Sequence, residues 1–538
     1  MRDKLPPPDQ WPDFLPLPGV VYPDHLNASV ALLDENVHQG RGQRVAIYWE
    51  RQAITYGQLL DQVARFAASL LEAGIRPGDR VLLRLPNRPE FVIAWLSILR
   101  IGAIAVATMP LLRSRELITI LDDCRPRLAI CQDELLEELE RAVSASSGVT
   151  LLVVGSTNGR HARFEDWLNR APSAQPANTR ADDIALLAYT SGSTGIPKGT
   201  IHFHRDVLAI ADTYSKHILR PTPDDVFGGH PTLAFTFGLG GLLIFPFRAG
   251  ASTVLLERFT PERLLQAIRD YRISIVFCAP TTYKMLLRDF GERLPEYLAS
   301  LRIGVSAGET LPATVFSEWK QRTGITLLDG IGSTEMLHIF ISNSLEEAVP
   351  GSTGRVVPGY EAKVVDQELN EAPAGTPGLL AVRGPTGCRY WNRPDKQAEY
   401  VRGGWNFPGD MFVQDEQGLF HYVCRADDLI ICAGNNIAGP EVEAVLLQHA
   451  AVKDVAVVAS PDELKGFVPK AFVVLAEGWQ PDDQLVKELQ EFVKQQIAPY
   501  KYPRRIEFVE QLPRTQTGKI RRVELRQLEL DRWRQHET

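Results

Sequence analysis

The chain has 538 residues, which predicts at least two domains, because single hydrophobic cores rarely grow beyond about 300 residues. Apolar residues make up 44% of it and charged residues 23%, as in an ordinary globular protein, and the net charge of −8 argues against nucleic acid as a partner. No apolar run approaches the ~18 residues of a membrane-spanning helix, and the proline-rich N-terminus lacks a signal core. The six cysteines have no metal-type spacing, which predicts buried free thiols in a reducing cytoplasm.

The first third of the chain alternates between helical and extended patterns. Residues 1–30 are expected to form an irregular arm, after which Val45–Tyr48 and Ala53–Tyr56 predict a hairpin. The helix and strand segments that follow are Tyr56–Ala73, Val81–Leu83, Pro89–Ala107, Arg115–Asp123 and Leu128–Cys131. Alternation of this kind predicts an α/β fold with a largely parallel, helix-covered sheet.

Glycine and hydroxyl residues are concentrated in Tyr189–Gly199, which contains one lysine, Lys198. The apolar run Ile184–Ala188 before it is typical of a buried strand, and helical spacing begins at Asp206, so a strand-to-helix loop is predicted. Glycines let backbone N–H groups face an anion, and hydroxyls and a lysine add donors and charge, which indicates phosphate binding. Gly199 after the lysine excludes a Walker A loop. The alternative is a surface linker.

Ligands in parallel sheets gather beyond the carboxyl ends of strands. Thr190, Ala307 and Asp329 are predicted at such ends, the last after the strand Ile325–Leu328. The segment Asp329–Glu335 combines glycines with the acid Glu335 at its end, and a carboxylate beside a phosphate loop can hold Mg²⁺. The alternative for that acid is a helix cap.

Beyond about residue 351, short strands with Gly/Pro turns predict a small β-rich subdomain that extends to about residue 426. The large N-terminal domain would therefore cover residues 1–426, and a smaller C-terminal α+β domain would cover residues 427–538. The C-terminal elements are predicted at Pro440–Leu447, Val452–Ala459, Ala471–Leu475 and Asp482–Gln496.

The second half of the chain contains three further polar features: an acid, a pair of opposite charges and a loop. Asp410 ends a Gly/Pro turn, where it could bind a sugar hydroxyl or only cap the turn. Arg425 and Asp427 could form a plain surface ion pair. Pro513–Lys519 is a polar loop that ends in a lysine, and a lone lysine of this kind is usually solvated.

Taken in this order, Tyr189–Gly199, Asp410, Arg425 and Pro513–Lys519 resemble the motifs of the adenylate-forming superfamily of acyl-CoA synthetases, luciferases and peptide-synthetase adenylation domains. The resemblance implies a C-terminal lid hinged at Asp427, ATP and coenzyme A as substrates, and Mg²⁺. It implies catalytic roles for Lys198, Lys519 and the metal ligand Glu335. The implied nucleotide- and coenzyme-binding residues are Thr190, Ser191, Gly192, Ser193, Thr194, Gly308, Glu309, Asp329, Gly330, Ile331, Gly332, Thr334, Asp410, Tyr422, Arg425 and Gly434.

A narrower likeness concerns the acid that is activated. Asp329–Phe340 is similar to benzoate-CoA ligases, and Leu233–Gly240 with Asn436–Glu443 is similar to 2-aminobenzoate-CoA ligases. This likeness implies an aromatic acid as substrate. The residues that it places around the aryl ring are Thr236, Phe237, Ala307, Gly332, His338 and Ile339.

Departures from the family pattern leave the coenzyme A contacts open. Pro408 stands where many relatives have threonine, and Ala433 and Asn435 replace a commoner glycine and acid. The alternatives are benzoate or another aryl acid, a stand-alone adenylation enzyme that loads a carrier-protein thiol, and a nucleotide-binding protein without catalysis. A cytoplasmic monomer or homodimer is expected, without nucleic-acid or membrane partners.

Overall fold

The computed structural model describes residues 2–145, 148–157, 159–169, 174–190, 197–432, 435–463, 465–514 and 520–536. The chain divides into two compact units. The first unit contains Met1–Ala362, Ala381–Pro408 and Gly418–Phe420, and the second contains Lys363–Leu380, Gly409–Gln417 and His421–Thr538. The domain boundary between residues 426 and 427 stays a prediction.

Two sheets form the framework of the first unit. Within the described residues, one sheet has nine strands, which lie in the spatial order Arg355–Val356, Ile339–Ser342, Thr326–Gly332, Ile303–Ala307, Ile275–Cys278, Val226–Gly229, Ser252–Leu255, Val45–Trp49 and Gln52–Thr55. Its central strands run parallel, and its edge strands run antiparallel. The predicted hairpin at residues 45–56 forms one of these edges.

The other sheet explains where the phosphate-type loop lies. Its seven strands, counted among the described residues, follow the order Ala162–Arg163, Thr150–Val154, Leu128–Gln132, Arg80–Arg84, Ile104–Ala107, Ile184–Thr190 and Lys198–Phe203. The last two strands pair antiparallel. The predicted strand-to-helix loop is therefore wrong, since it joins two strands of a hairpin and the helix begins at His204. β-branched Thr200 and Ile201 with aromatic Phe203 favour this extra strand.

Helices cover the faces of both sheets. The helix Tyr56–Glu72 shows why they form: Thr55 and Gln58 make a capping box, and Leu59, Val63 and Phe66 are buried on one face. The helices of the first unit are Tyr56–Glu72, Pro89–Arg100, Ser114–Cys124, Leu136–Ala145, Phe164–Leu168, His204–Ile210, Thr236–Leu239, Phe245–Ala249, Pro261–Asp270, Pro280–Phe290, Ala313–Thr323 and Pro394–Tyr400. Wider π-helical turns lie at Val30–Asp34, Val37–Arg41, Ala211–Leu219 and Gly240–Ile244.

The short strands predicted after residue 351 are present as Glu361–Val365, Gly378–Arg383, Val401–Arg402, Trp405–Asn406, Asp410–Gln414 and Phe420–Arg425. Within the first unit Val382 pairs with Asn406, and within the second Leu379 pairs with Met411. All six cysteines are buried thiols, as expected.

The second unit ends in an α+β arrangement, which confirms the predicted fold class. Its strands are ordered Asn435–Ala438, Leu429–Cys432, Gly466–Leu475 and Val452–Asp462, with Arg505–Phe508 parallel to the third. Its helices are Gly439–Leu446, Asp483–Gln496 and Arg522–His536. Buried Ile430, Val442, Val455, Ala471 and Leu489 belong to one apolar core. Among the helices described in both units, none is long and apolar enough to cross a membrane.

Candidate active site

The base of the phosphate-type loop is a strand pair in which Thr190 lies opposite Lys198. The strand register therefore brings the first hydroxyl and the lysine of the motif together, although seven residues separate them in the chain. Ser191, Gly192, Ser193, Thr194, Ala433, Gly434 and Lys519 lie outside the described residues, as does the side chain of Asn435. Their predicted roles stay predictions.

Lys198 and Glu335 contact the same aromatic side chain, Tyr390. Nζ of Lys198 lies 5.0 Å from the centroid of the Tyr390 ring, and the Tyr390 hydroxyl donates a 2.7 Å hydrogen bond to Oε1 of Glu335. Burial and the Glu335 carboxylate raise the pKa of Tyr390 above its usual range, so the hydroxyl keeps its proton. Glu335 lies in a turn between two strands, so it does not cap a helix.

Tyr390, which none of the sequence motifs contains, is the residue that contacts both Lys198 and Glu335. Backbone hydrogen bonds fasten its segment to the strand Lys198–Phe203: Ile201 N–H donates to the Arg389 carbonyl at 2.7 Å, and Trp391 N–H donates to the Gly199 carbonyl at 2.8 Å. The only local signal is the run of large side chains at residues 389–391 after a stretch rich in Gly and Pro.

The turn that contains Thr334 and Glu335 is held from the same strand. His202 Nε2 lies 2.8 Å from the Thr334 carbonyl, which can only accept, so the imidazole donates. Burial lowers the pKa of His202 to about 4, and the ring is therefore neutral. Leu337 has a φ of +69°, a left-handed conformation that leucine rarely adopts. This strained residue directly precedes His338 in the chain.

Asp329 lies inside the strand Thr326–Gly332, so its predicted position at a strand end is wrong. The strand continues because Gly330, Ile331 and Gly332 pair with the antiparallel strand that contains Ile339. Ser306 donates a 3.0 Å hydrogen bond to Oδ1 of Asp329, and burial raises the pKa of this carboxyl to about 8. Burial therefore favours the protonated form of Asp329 at neutral pH.

Thr190 and Ala307 are the last residues of their strands, as predicted. Gly308 and Glu309 follow Ala307 directly. Oε2 of Glu309 accepts a 2.7 Å hydrogen bond from Thr281 Oγ1, which tethers it to the helix Pro280–Phe290.

An aromatic cluster surrounds His338 at the end of this turn. Ring centroids of Phe237, Phe245 and Tyr214 lie 5.8, 4.5 and 5.5 Å from the His338 imidazole. Its Nε2 lies 3.4 Å from the Phe237 carbonyl and donates to it. Burial lowers the pKa of His338 to about 3, so the ring is neutral. Nδ1 is then a buried acceptor that has no partner among the described residues.

The other predicted aryl-pocket residues lie on neighbouring elements. Gly332 pairs with Ile339, and Ala307 pairs with Gly330 one strand further along the sheet. Thr236 begins the short helix that carries Phe237. The structure thus brings Phe237 directly to His338 and sets Ala307, Gly332 and Ile339 on adjacent strands.

Gly240 gives His338 the space that it occupies. A Cβ at this position would lie 2.3 Å from His338 Cδ2 and 2.7 Å from its Nε2. In the acyl-CoA ligase that the resemblance implies, we expect Gly240→Ala to displace the imidazole and to raise the KM for the acid about tenfold, whereas the KM for ATP stays unchanged. Steady-state kinetics with each substrate varied would measure the two constants.

Gly42→Ala is the matched control, since its Cβ would meet only Val37 Cγ1 at an ordinary 3.6 Å. An equal rise in both constants for Gly240→Ala would show a general distortion and contradict the prediction.

In the second unit, Arg425 joins two acids. Its Nη1 lies 3.2 Å from Asp410 Oδ1, and its Nε lies 3.6 Å from Asp427 Oδ1, so the predicted ion pair is present. Burial alone would lower the pKa of Arg425, but the two carboxylates raise it above its usual value. Gly409 has a φ of +83°, and a Cβ there would lie 2.8 Å from Arg425 Nη2. The glycine therefore lets the guanidinium reach Asp410.

Tyr422 and Asp427 complete this group. The Tyr422 ring meets Phe412 edge-on at 5.5 Å, and burial with the nearby Asp410 raises its pKa. Asp427 lies in the 3₁₀ turn Ala426–Asp428, and its Oδ2 lies 3.6 Å from Nη2 of Arg526 on the C-terminal helix.

A glycine- and hydroxyl-rich segment between two paired strands, with a lysine at its base and a buried carboxylate nearby, is typical of a nucleotide-binding site. The chain belongs to the AMP-binding enzyme family, which residues 33–391 match, and residues 441–519 match the AMP-binding enzyme C-terminal domain. It is an AMP-forming acyl-CoA ligase, and ATP and coenzyme A are its substrates.

Particular relatives span almost the whole chain. It is 36% identical over 513 residues to a benzoate–CoA ligase of Thauera aromatica, covering 95% of this chain and 97% of the relative. It is 34% identical over 509 residues to a 4-hydroxybenzoate–CoA/benzoate–CoA ligase of Rhodopseudomonas palustris, covering 94% of each. The crystal structure of the anthranilate CoA ligase AuaEII in complex with anthranoyl-AMP matches with a TM-score of 0.87 and 35% identity, over 94% and 98% of the two chains.

Proposed function

We propose that this enzyme is an aryl-CoA ligase whose preferred acid is 2-aminobenzoate. In the first step the carboxylate of the acid attacks the α-phosphorus of ATP, which forms an acyl-adenylate and releases pyrophosphate. In the second step the thiol of coenzyme A attacks the acyl carbon, and AMP leaves. The benzoate–CoA ligase relatives support an aromatic acid, and the likeness to the anthranilate CoA ligase structure supports the 2-amino group.

The hydrogen bonding of His338 favours an aryl ring that carries a hydrogen-bond donor. His338 is neutral and buried, it donates through Nε2 to Phe237, and its Nδ1 has no partner among the described residues. A buried acceptor without a partner is costly, by about 1–3 kcal/mol. An amino group on an aryl ring bound beside His338 would supply the missing hydrogen, and a flat ring suits the aromatic cluster around this imidazole.

Charge neutralisation is the main task of the first step, because the leaving pyrophosphate gathers negative charge. We assign Lys198 and Lys519 to this charge, with Thr190 and Thr334 as phosphate contacts. Glu335 fits a Mg²⁺ ligand, since its Oε2 accepts no hydrogen bond from the described residues and Mg²⁺ prefers carboxylate oxygen. Mg²⁺, when bound there, would supply further positive charge to the phosphates.

The group in the second unit is assigned to the nucleotide. Asp410 is proposed to accept hydrogen bonds from the ribose hydroxyls, because the Arg425 guanidinium fixes one of its oxygens. Tyr422 is proposed to contact the nucleotide beside them, and Asp427 to be the hinge residue.

A panel of acids tests the proposal, with AMP release measured while coenzyme A is the only thiol. We expect kcat/KM for 2-aminobenzoate to exceed that for 2-methylbenzoate about tenfold or more, because the methyl group matches the amino group in size but cannot donate. Benzoate should fall between them, and octanoate should be poorest.

Each result has a defined consequence. A higher kcat/KM for benzoate than for 2-aminobenzoate would refute 2-aminobenzoate as the preferred acid. The enzyme would still be an aryl-CoA ligase. The greatest activity on a long fatty acid would overturn the aromatic pocket. AMP release that requires a carrier protein instead of coenzyme A would favour the carrier-loading alternative.

A further inference from the structure

Tyr390 contacts both side chains to which the proposed function gives the phosphate and metal roles. Its hydroxyl lies 2.7 Å from Oε1 of Glu335, and its ring centroid lies 5.0 Å from Nζ of Lys198. Tyr390 is 1% exposed and Glu335 is 8% exposed, so the hydrogen bond is shielded from bulk water. One side chain thus holds an anion at its edge and a cation at its face.

Tyr390 is itself fixed on several sides. It bridges Thr200 on the strand that begins at Lys198, so its distance from the lysine is set by the sheet. Its N–H donates a 2.9 Å hydrogen bond to Oε1 of Gln397, and the ring of Tyr400 meets it edge-on at 5.8 Å. A side chain restrained in this way can impose its geometry on its neighbours.

We propose that Tyr390 is a positioning residue for adenylate formation. Its hydroxyl occupies Oε1 of Glu335 and so presents Oε2 to a divalent metal ion, and its ring restrains the ammonium of Lys198. The inference rests on the roles proposed above for Glu335 and Lys198. Partners of metal-ligating carboxylates commonly change metal affinity by about 10- to 100-fold when they are removed.

Tyr390→Phe removes the hydroxyl and keeps the ring. Mn²⁺ is the probe, and its binding in the presence of α,β-methylene-ATP is followed from the electron paramagnetic resonance signal of the free ion. We expect the Mn²⁺ affinity to fall about tenfold or more. The affinity for the metal-free analogue should change less than about twofold, because the ring still faces Lys198.

Tyr390→Leu removes the ring as well. Here the metal-free analogue should also bind more weakly, by about two- to fivefold. If Tyr390→Phe keeps the affinity for the metal-free analogue that Tyr390→Leu loses, the ring and the hydroxyl have separate effects. A purely structural role of Tyr390 would not give this separation. Tyr56→Phe is the matched control, since this buried hydroxyl donates 2.6 Å to the Ala251 carbonyl, and its Mn²⁺ affinity should equal that of the unmodified enzyme.

Equal Mn²⁺ affinities of Tyr390→Phe and the unmodified enzyme would overturn the inference. Failure of the unmodified enzyme to bind Mn²⁺ would overturn it together with the metal role of Glu335. AMP release from aryl acids is measured separately, so failure of the proposed function is distinguished from failure of this inference. If Tyr390→Leu does not fold, Tyr390→Phe alone decides.

Discussion

Lys519→Ala is expected to slow acyl-adenylate formation by about 10²- to 10³-fold, the usual effect of removing one group that stabilises transition-state charge. Thioester formation from preformed acyl-adenylate should stay nearly unchanged. The physical reason is that pyrophosphate leaves only in the first step, so the need for a cation at the phosphates ends once the adenylate exists. Rapid-quench measurement of each half-reaction gives the two rates.

The control is Lys453→Ala, which removes an exposed lysine from a strand of the same unit and should alter neither half-reaction. Equal losses in both half-reactions for Lys519→Ala would contradict the division of labour. Lys198→Ala offers a comparison, because its proposed charge role also belongs to the first step. Removal of the Lys198 ammonium should slow both the forward adenylation and its reversal by pyrophosphate.

Local patterns were sufficient to predict most elements of the first unit. For the helix Tyr56–Glu72, the cap, the apolar face and the length all follow from neighbouring residues in the sequence. The start of the strand Lys198–Phe203 directly after the loop was not predicted, because the strand is short and a helix follows it at once. Asp329 was misplaced for a related reason, since only pairing with Ile339–Ser342 shows that its strand continues.

Site residues could be predicted from the sequence where they lie in a continuous motif. They could not be predicted where their contacts join distant parts of the chain. Phe237 and His338 came from the family resemblance, and the structure brings their ring centroids to 5.8 Å although they lie 101 positions apart in the chain. Tyr390 lies in none of the motifs that carry the family resemblance. Its role follows from the strand pairing at Thr200, and no periodicity in the sequence reports that pairing.

Arg389, which directly precedes Tyr390 in the chain, forms a buried ion pair with Asp206. Arg389 Nη2 lies 2.6 Å from Asp206 Oδ2, and both side chains are 0% exposed. The guanidinium also lies 4.0 Å above the Phe203 ring. Arg389→Met should lower the free energy of unfolding by about 3–5 kcal/mol, because it removes the cation that lies closest to the buried Asp206 carboxylate. Urea unfolding followed by fluorescence measures the change.

Arg65→Met, which breaks an exposed pair with Asp61 at 2.8 Å, is the control and should shift the unfolding midpoint very little. The double change Asp206→Leu with Arg389→Met should lose much less stability than Arg389→Met alone, since apolar replacement of a buried pair is often neutral. A double variant as unstable as the single one would contradict this. If the double variant is stable but binds Mn²⁺ as weakly as Tyr390→Phe, the ion pair serves the geometry of the neighbouring tyrosine more than the stability of the fold.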